Sequence, residues 1–95
     1  MRKYEILLIL PADADDKVIQ AATDRISQVL AVGGGSVDKV DRWGKRRLTY
    51  VIGHHSEGLY LVVEALADPA AIKELDRVLS LADEVIRFKV VVRAA

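Results

Sequence analysis

The alternation of two periodicities along the chain constrains its fold more than any other feature. Four segments have the apolar pattern of a strand, and two have the three- to four-residue spacing of an amphipathic helix. In chain order these segments are residues 3–10, 11–32, 36–52, 59–66, 68–84 and 85–92. The order β-α-β-β-α-β predicts an α+β, ferredoxin-like sandwich, with a four-stranded antiparallel sheet and both helices on one face. Right-handed crossovers then place the first and third strands in the centre and the others at the edges.

Local signals mark the ends of these segments. Pro11 ends the first strand, and the acidic cluster at 13–16 supplies N-cap candidates for the first helix. The glycines at 33–35 end that helix, since a C-cap often needs a positive φ. Asp68 followed by Pro69 predicts the start of the second helix.

Two further features shape the hairpin. Val37 and Val40 are three residues apart in the second strand, so strict alternation breaks there and predicts a bulge. Residues 53–58 predict a turn between the second and third strands.

The apolar residues of the strands divide into two predicted faces. One face is expected to pack against the helices and comprises Tyr4, Ile6, Leu8, Leu48, Tyr50, Tyr60, Val62, Phe88 and Val90. The other face has no helix of its own and is expected to carry Leu7, Ile9, Leu59, Leu61 and Val63, with Lys3 and Glu5 toward one end. An uncovered apolar sheet face indicates a site for a partner. The alternative is a small exposed patch that reflects only the β-propensity of inner strands.

Composition excludes several classes of function. The 95 residues suit a single domain spanning 1–95, and the absence of cysteine removes disulfides and thiolate metal sites. The two neighbouring histidines, His54 and His55, have no third ligand at a metal-binding spacing, and the triple glycine lacks the ending of a phosphate loop. No nucleophile has a plausible base beside it. We therefore expect no enzyme activity, no cofactor and no metal.

The charges are balanced in number but separated along the chain. With 14 cations and 14 anions the net charge is zero, which by itself argues against nucleic-acid binding. The two predicted helical segments, however, hold four cations and nine anions, whereas the strands and connections hold ten cations and five anions. A positive sheet on a neutral protein can still form a surface for a polyanion.

Three consecutive cations, Lys45 to Arg47, follow Trp43 and Gly44 at the start of an alternating apolar pattern. On an edge strand such charges can simply block edge-to-edge pairing. They also belong to a larger basic set that could contact phosphates. That set comprises Arg2, Lys3, Arg42, Lys45, Arg46, Arg47, Arg87, Lys89 and Arg93.

Four stretches resemble the bacterial ribosomal protein S-six (S6) family of the small subunit. They are residues 1–5 (Met-Arg-Lys-Tyr-Glu), 43–50 (Trp-Gly-Lys-Arg-Arg-Leu-Thr-Tyr), 57–60 (Glu-Gly-Leu-Tyr) and 85–87 (Val-Ile-Arg). The similarity covers roughly residues 1–93 in the same order and spacing. Thr49 and Val51 depart from the residues that many relatives carry.

The resemblance implies a structural constituent of the small ribosomal subunit, cytoplasmic and ribosome-associated, with no membrane and no small-molecule substrate. It implies binding to the central domain of small-subunit ribosomal RNA together with ribosomal protein S-eighteen (S18), as a heterodimer. With the basic set, the expected RNA-binding residues are Arg2, Lys3, Tyr4, Lys45, Arg46, Arg47, Arg87, Lys89 and Arg93. The expected partner-binding residues are Leu7, Ile9, Arg46, Arg47, Leu48, Leu59, Leu61 and Val63. The alternative function is a ferredoxin-like regulatory or ligand-binding module that oligomerises through its open sheet face.

Overall fold

The computed structural model describes residues 1–52 and 55–93 and has the predicted order of elements. The elements are β1 (Arg2–Pro11), α1 (Asp16–Val32), β2 (Ser36–Ile52), β3 (His55–Ala67), α2 (Pro69–Ser80) and β4 (Arg87–Val92). The strands form one antiparallel sheet in the order β2-β3-β1-β4, so the first and third strands are central, as predicted. The ferredoxin-like α+β fold is confirmed. No helix in the described part of the chain is long and apolar enough to cross a bilayer.

The acidic cluster and the glycines delimit α1. Asp15 is the N-cap, and its Oδ1 accepts a hydrogen bond from the Val18 backbone N–H at 3.0 Å. This bond satisfies one of the donors that a helix start leaves unpaired. Gly34, with φ of 81°, supplies the left-handed turn that ends the helix.

The hairpin departs from the predicted boundaries. β3 begins at His55, opposite Ile52, so the connection is shorter than the predicted turn at 53–58. The register shifts between Val37 and Lys39, which confirms the predicted bulge. A second shift, which was not predicted, lies between Arg42 and Gly44. His54 lies outside the described residues.

One side of the sheet packs on both helices and forms the core. Its strand residues are Tyr4, Ile6, Leu8, Leu10, Leu59, Leu61, Val63, Ala65 and Ala67, and its helix residues include Ile26, Leu30, Leu75 and Leu79. Phe88 and Val90 are partly buried against this core, as predicted. The predicted face of β1 was therefore right, and so was that of β4.

The predicted face of β3 was wrong. Leu61 and Val63 are fully buried in the core and Leu59 is 9% exposed, so none of the three lies on the open face. The cause is the register: Leu8 pairs with Leu61, and directly opposed residues point to the same side. Tyr60 and Val62, which were expected in the core, instead lie opposite Ile9 and Leu7 on the open face.

Leu48 was also expected to pack against the helices, and this expectation was wrong. Its side chain is 8% exposed but does not belong to the helix-facing core. The expectation that Tyr50 packs in the core concerns a side chain that is not among those described.

Candidate RNA and partner interface

An apolar strip runs across the sheet face that the helices leave uncovered. We define the apolar strip as Leu7, Ile9, Leu48, Tyr60 and Val62. Ile9, Leu48 and Val62 are 5% to 8% exposed, yet none belongs to the helix-facing core. Leu7 and Tyr60 are only half-buried, so they present the accessible surface of the strip.

Gly58 of β3 leaves space on the open face that two residues of the apolar strip approach. A Cβ atom at this position would lie 2.5 Å from Cγ2 of Ile9 and 3.4 Å from Cδ2 of Leu48. One side chain from β1 and one from β2 therefore approach the space that a side chain at position 58 would fill. Leu48 thus lies over the backbone of Gly58 on the open face, where it is 8% exposed.

The β4 edge of the strip is cationic. Arg87 is opposite Ile9, and Lys89 is opposite Leu7, so both cations project onto the open face beside the strip. Both are exposed, and they line a shallow groove of about 200 Å³ together with Leu7, Ile9, Tyr60 and Phe88. Tyr60 is the member of this groove that sequence reasoning missed. Tyr60 lies in a run of consecutive apolar residues, so the sequence pattern fits either assignment of β3 residues to the two faces. Only the pairing of β3 with β1 shows that Tyr60 lies on the open face.

The β2 edge divides the three consecutive cations between two sides. Arg46 pairs with Gly58, whose missing side chain would point at Ile9, so Arg46 belongs to the open face. Lys45 pairs with Leu59 of the core, and alternation places Arg47 on that same side. The sequence predicted one basic cluster, but the pleat of the strand divides it.

The guanidinium of Arg46 lies over the ring of Trp43. Cζ of Arg46 lies 5.1 Å from the centroid of the Trp43 ring, a cation–π arrangement. Trp43 is the extra residue at the second register shift, and it is followed by Gly44, whose φ is 84°. The indole remains 49% exposed.

Arg93 forms ion pairs with two carboxylates on the open face. Glu5 and Glu64 are directly opposed on the two inner strands, a repulsive arrangement for like charges. Arg93 pairs with both, through Nε to Oε2 of Glu5 at 3.8 Å and through Nη1 to Oε1 of Glu64. It was predicted to bind RNA, but these ion pairs already neutralise much of its charge.

Three further cations of the basic set lie away from the apolar strip. Arg2 and Lys3 are exposed and border a groove of about 490 Å³ that Leu66 and Val92 also line. Arg42 donates to Oδ1 of Asp16 at 3.0 Å, so its charge is paired with α1.

Tyr4 was predicted to contact RNA and is instead a core residue. It is 4% exposed, so its ring is not available for stacking on a base in the folded protein. The position on the face of Ile6 and Leu8 explains this burial, so the structure gives Tyr4 a packing role and leaves its predicted RNA contact a prediction.

The helical segments have a net negative charge, opposite in sign to that of the strands and connections. On α2, the guanidinium of Arg77 hydrogen bonds to Glu74, with Nε at 3.2 Å from Oε1, and lowers the pKa of this carboxyl below its usual value. Glu74 in turn raises the pKa of Arg77. Both groups lie on the exposed surface of the helix, remote from the apolar strip, so they do not tune its chemistry.

These features define a class of protein: a small ferredoxin-like binding domain with an apolar strip between two cationic edges. The family model for ribosomal protein S6 matches residues 3–92. The chain therefore belongs to the ribosomal protein S6 family, which confirms the resemblance seen in the sequence. This is a family of structural proteins of the small ribosomal subunit, not an enzyme family.

Similar bacterial proteins cover nearly the whole chain. The small ribosomal subunit protein bS6 of Mycolicibacterium paratuberculosis is 47% identical over 90 residues, which are 95% of this chain and 94% of the relative. The bS6 protein of Thermobifida fusca is 46% identical over 90 residues, with the same coverage of both chains.

Solved structures agree on the fold. The crystal structure of 30S ribosomal protein S6 from Thermotoga maritima superposes with a TM-score of 0.83 at 27% identity and covers 97% of this chain and 87% of that one. The C-terminal domain of the MgtC protein from Mycobacterium tuberculosis gives a TM-score of 0.63 at 13% identity, covering 98% of this chain and 88% of that chain, which indicates a shared fold alone.

Proposed function

We propose that this protein is a structural constituent of the bacterial small ribosomal subunit that binds the central domain of the ribosomal RNA together with ribosomal protein S18. It would act in the cytoplasm as part of the ribosome. The observation that carries the proposal is the apolar strip flanked by Arg46 on one edge and by Arg87 and Lys89 on the other. Within residues 1–52 and 55–93, no carboxylate forms an ion pair with these three cations.

The apolar strip and its surroundings are the proposed surface for S18. Leu7 and Tyr60 are half-buried, and Val91, opposite Glu5, is 44% exposed. Aromatic and aliphatic groups of this kind gain most when a partner removes them from water. Ile9, Leu48 and Val62 would support this contact from beneath, because they are already largely buried.

The cationic edges are the proposed surface for RNA. Arg87 and Lys89 point from β4 onto the open face. Arg2 and Lys3 border a separate groove at the end of the sheet, beyond the opposed Glu5 and Glu64, and form a second positive area. Lys45 and Arg47 add charge on the other side of β2. Contacts between such cations and phosphates position a protein on RNA and weaken as salt is added.

A gel-shift titration with a central-domain RNA fragment, with and without purified S18, tests the proposal. We expect weak, salt-sensitive binding by the protein alone and tighter binding once S18 is added. Equal affinity in both arms, or no binding in either, would refute the cooperative function. Sedimentation in the absence of RNA tests the alternative, since an oligomerising regulatory module would form a stable homodimer.

Charge substitutions make the titration specific. The double variant Arg87→Ala with Lys89→Ala should weaken RNA binding and reduce the slope of log affinity against log salt by about 1 for each phosphate that the protein no longer neutralises. The matched control removes two exposed helical cations, Lys17→Ala with Lys73→Ala, and so changes the net charge by the same amount. A reduction of equal size in the control would show that only net charge matters, and would contradict the assignment of the β4 edge.

A further inference from the structure

Trp43 has a position that core packing does not explain. It occupies the second register shift of β2, and its indole is half-exposed rather than part of the core. Gly44 follows it and pairs with Tyr60 of β3, and a Cβ atom at Gly44 would have no heavy atom within 4 Å, so the space beside Gly44 is open. The contact that covers the ring is the guanidinium of Arg46, 5.1 Å from its centroid.

The cation–π contact with Trp43, called the stack below, restrains the side chain of Arg46, which would otherwise be mobile. An exposed arginine samples many rotamers, and a ligand that binds it must bear the cost of fixing one of them. A cation–π contact with an indole holds the guanidinium plane while leaving N–H donors free for an acceptor. Arg46 is therefore preorganised at the rim of the open face.

We propose that Trp43 is a positioning residue that fixes Arg46 for contact with a phosphate group of the RNA. The inference rests on the proposed function and names one contact of that same surface. Lys45 and Arg47 flank Arg46 in the chain, and none of the three pairs with a carboxylate of the described residues. A cationic edge of this kind attracts a polyanion, which is the charge complementarity that a phosphate contact needs.

A double-mutant cycle in RNA binding tests the coupling. The variants are Trp43→Ala, Arg46→Ala, the combination of both, and Trp43→Phe, titrated with a central-domain RNA fragment at fixed salt and saturating S18. We expect Trp43→Ala to weaken binding by about two- to five-fold, which is the fold-change of an exposed cation–π contact. Trp43→Phe should recover part of the affinity, and Trp43→Ala should have no further effect when Arg46 is already alanine.

Equal reductions in affinity from Trp43→Ala in both backgrounds would overturn the positioning role. So would weaker binding to S18 in calorimetry without RNA, accompanied by unchanged RNA affinity, because Arg46 would then serve the protein partner. Thermal unfolding of each variant separates these effects from misfolding.

The fluorescence of Trp43 tests the stack in the free protein, independently of the proposed function. Trp43 is the single tryptophan of the chain, so its fluorescence reports the stack in the free protein. Arg46→Ala should increase quenching by acrylamide, whereas the control Lys45→Ala, on the other side of β2, should not. Identical quenching in the wild type and Arg46→Ala would overturn the stack itself. An intact stack in a wild-type protein that binds no RNA would refute the proposed function and, with it, the phosphate contact.

Discussion

The substitution Gly58→Ala tests how the apolar strip is built. The added Cβ would lie 2.5 Å from Cγ2 of Ile9, a distance at which something must move. Cγ2 is the branch methyl of a β-branched residue on a central strand, so it cannot swing away as the end of a flexible side chain could. Since Gly58 is not among the glycines with positive φ, the cost of this substitution is steric rather than conformational.

The magnitude follows from the kind of contact. Overpacking of this type costs about 1–3 kcal/mol. In a domain of 60–100 residues, each kcal/mol lowers Tm by about 4–8 °C. We therefore expect Gly58→Ala to lower Tm by at least a few degrees and to weaken S18 binding, because displacing Ile9 disturbs the proposed partner surface.

Ile9→Leu provides the matched background. Leucine keeps the volume of isoleucine but has no methyl branch at Cβ, and such an exchange by itself usually costs less than about 1.5 kcal/mol. Chemical denaturation of the wild type, the two single variants and the double variant gives the coupling between the sites. Gly58→Ala should cost much less in the Ile9→Leu background. An equal destabilisation in both backgrounds, or none in either, would refute the steric argument and the position assigned to Ile9.

Further predictions concern Arg93, Leu61 and Tyr60, whose positions in the structure differ from those expected from the sequence or bear on their expected roles. Arg93→Ala should lower stability by about 1 kcal/mol, with a smaller effect at high salt, because two opposed carboxylates lose their counter-ion; urea unfolding at two salt concentrations measures this. The same variant should affect RNA affinity less than Arg87→Ala does, and the reverse order would return Arg93 to the RNA-binding set. Leu61→Ala should lose about 2–5 kcal/mol of unfolding free energy as a core truncation. Tyr60→Ala should lose less stability but weaken S18 binding in calorimetry, and a core-sized destabilisation at Tyr60 would contradict its place on the open face.

The candidate site was partly accessible from the sequence. The basic set, the edge position of β2 and the existence of an uncovered apolar face all followed from periodicity and from the handedness of crossovers. The identity of the residues on that face did not. Tyr60 and Val62 were assigned to the wrong side together with Leu59, Leu61 and Val63, because each of these positions is apolar and the pattern fits either assignment.

The sequence by itself determined the order of the elements, the arrangement of strands in the sheet and the ribosomal protein S6 family. These properties depend on local periodicity, on caps such as Asp15 and on short motifs, all of which are continuous in the chain. Only the tertiary structure decided which residues share a face. Strand alternation fixes that neighbours point to opposite sides, whereas the pairing of Leu8 with Leu61 selects the side that meets the helices. The register of β2 against β3 likewise places Arg46 beside the apolar strip and Lys45 away from it, since the pleat separates cations that are adjacent in sequence.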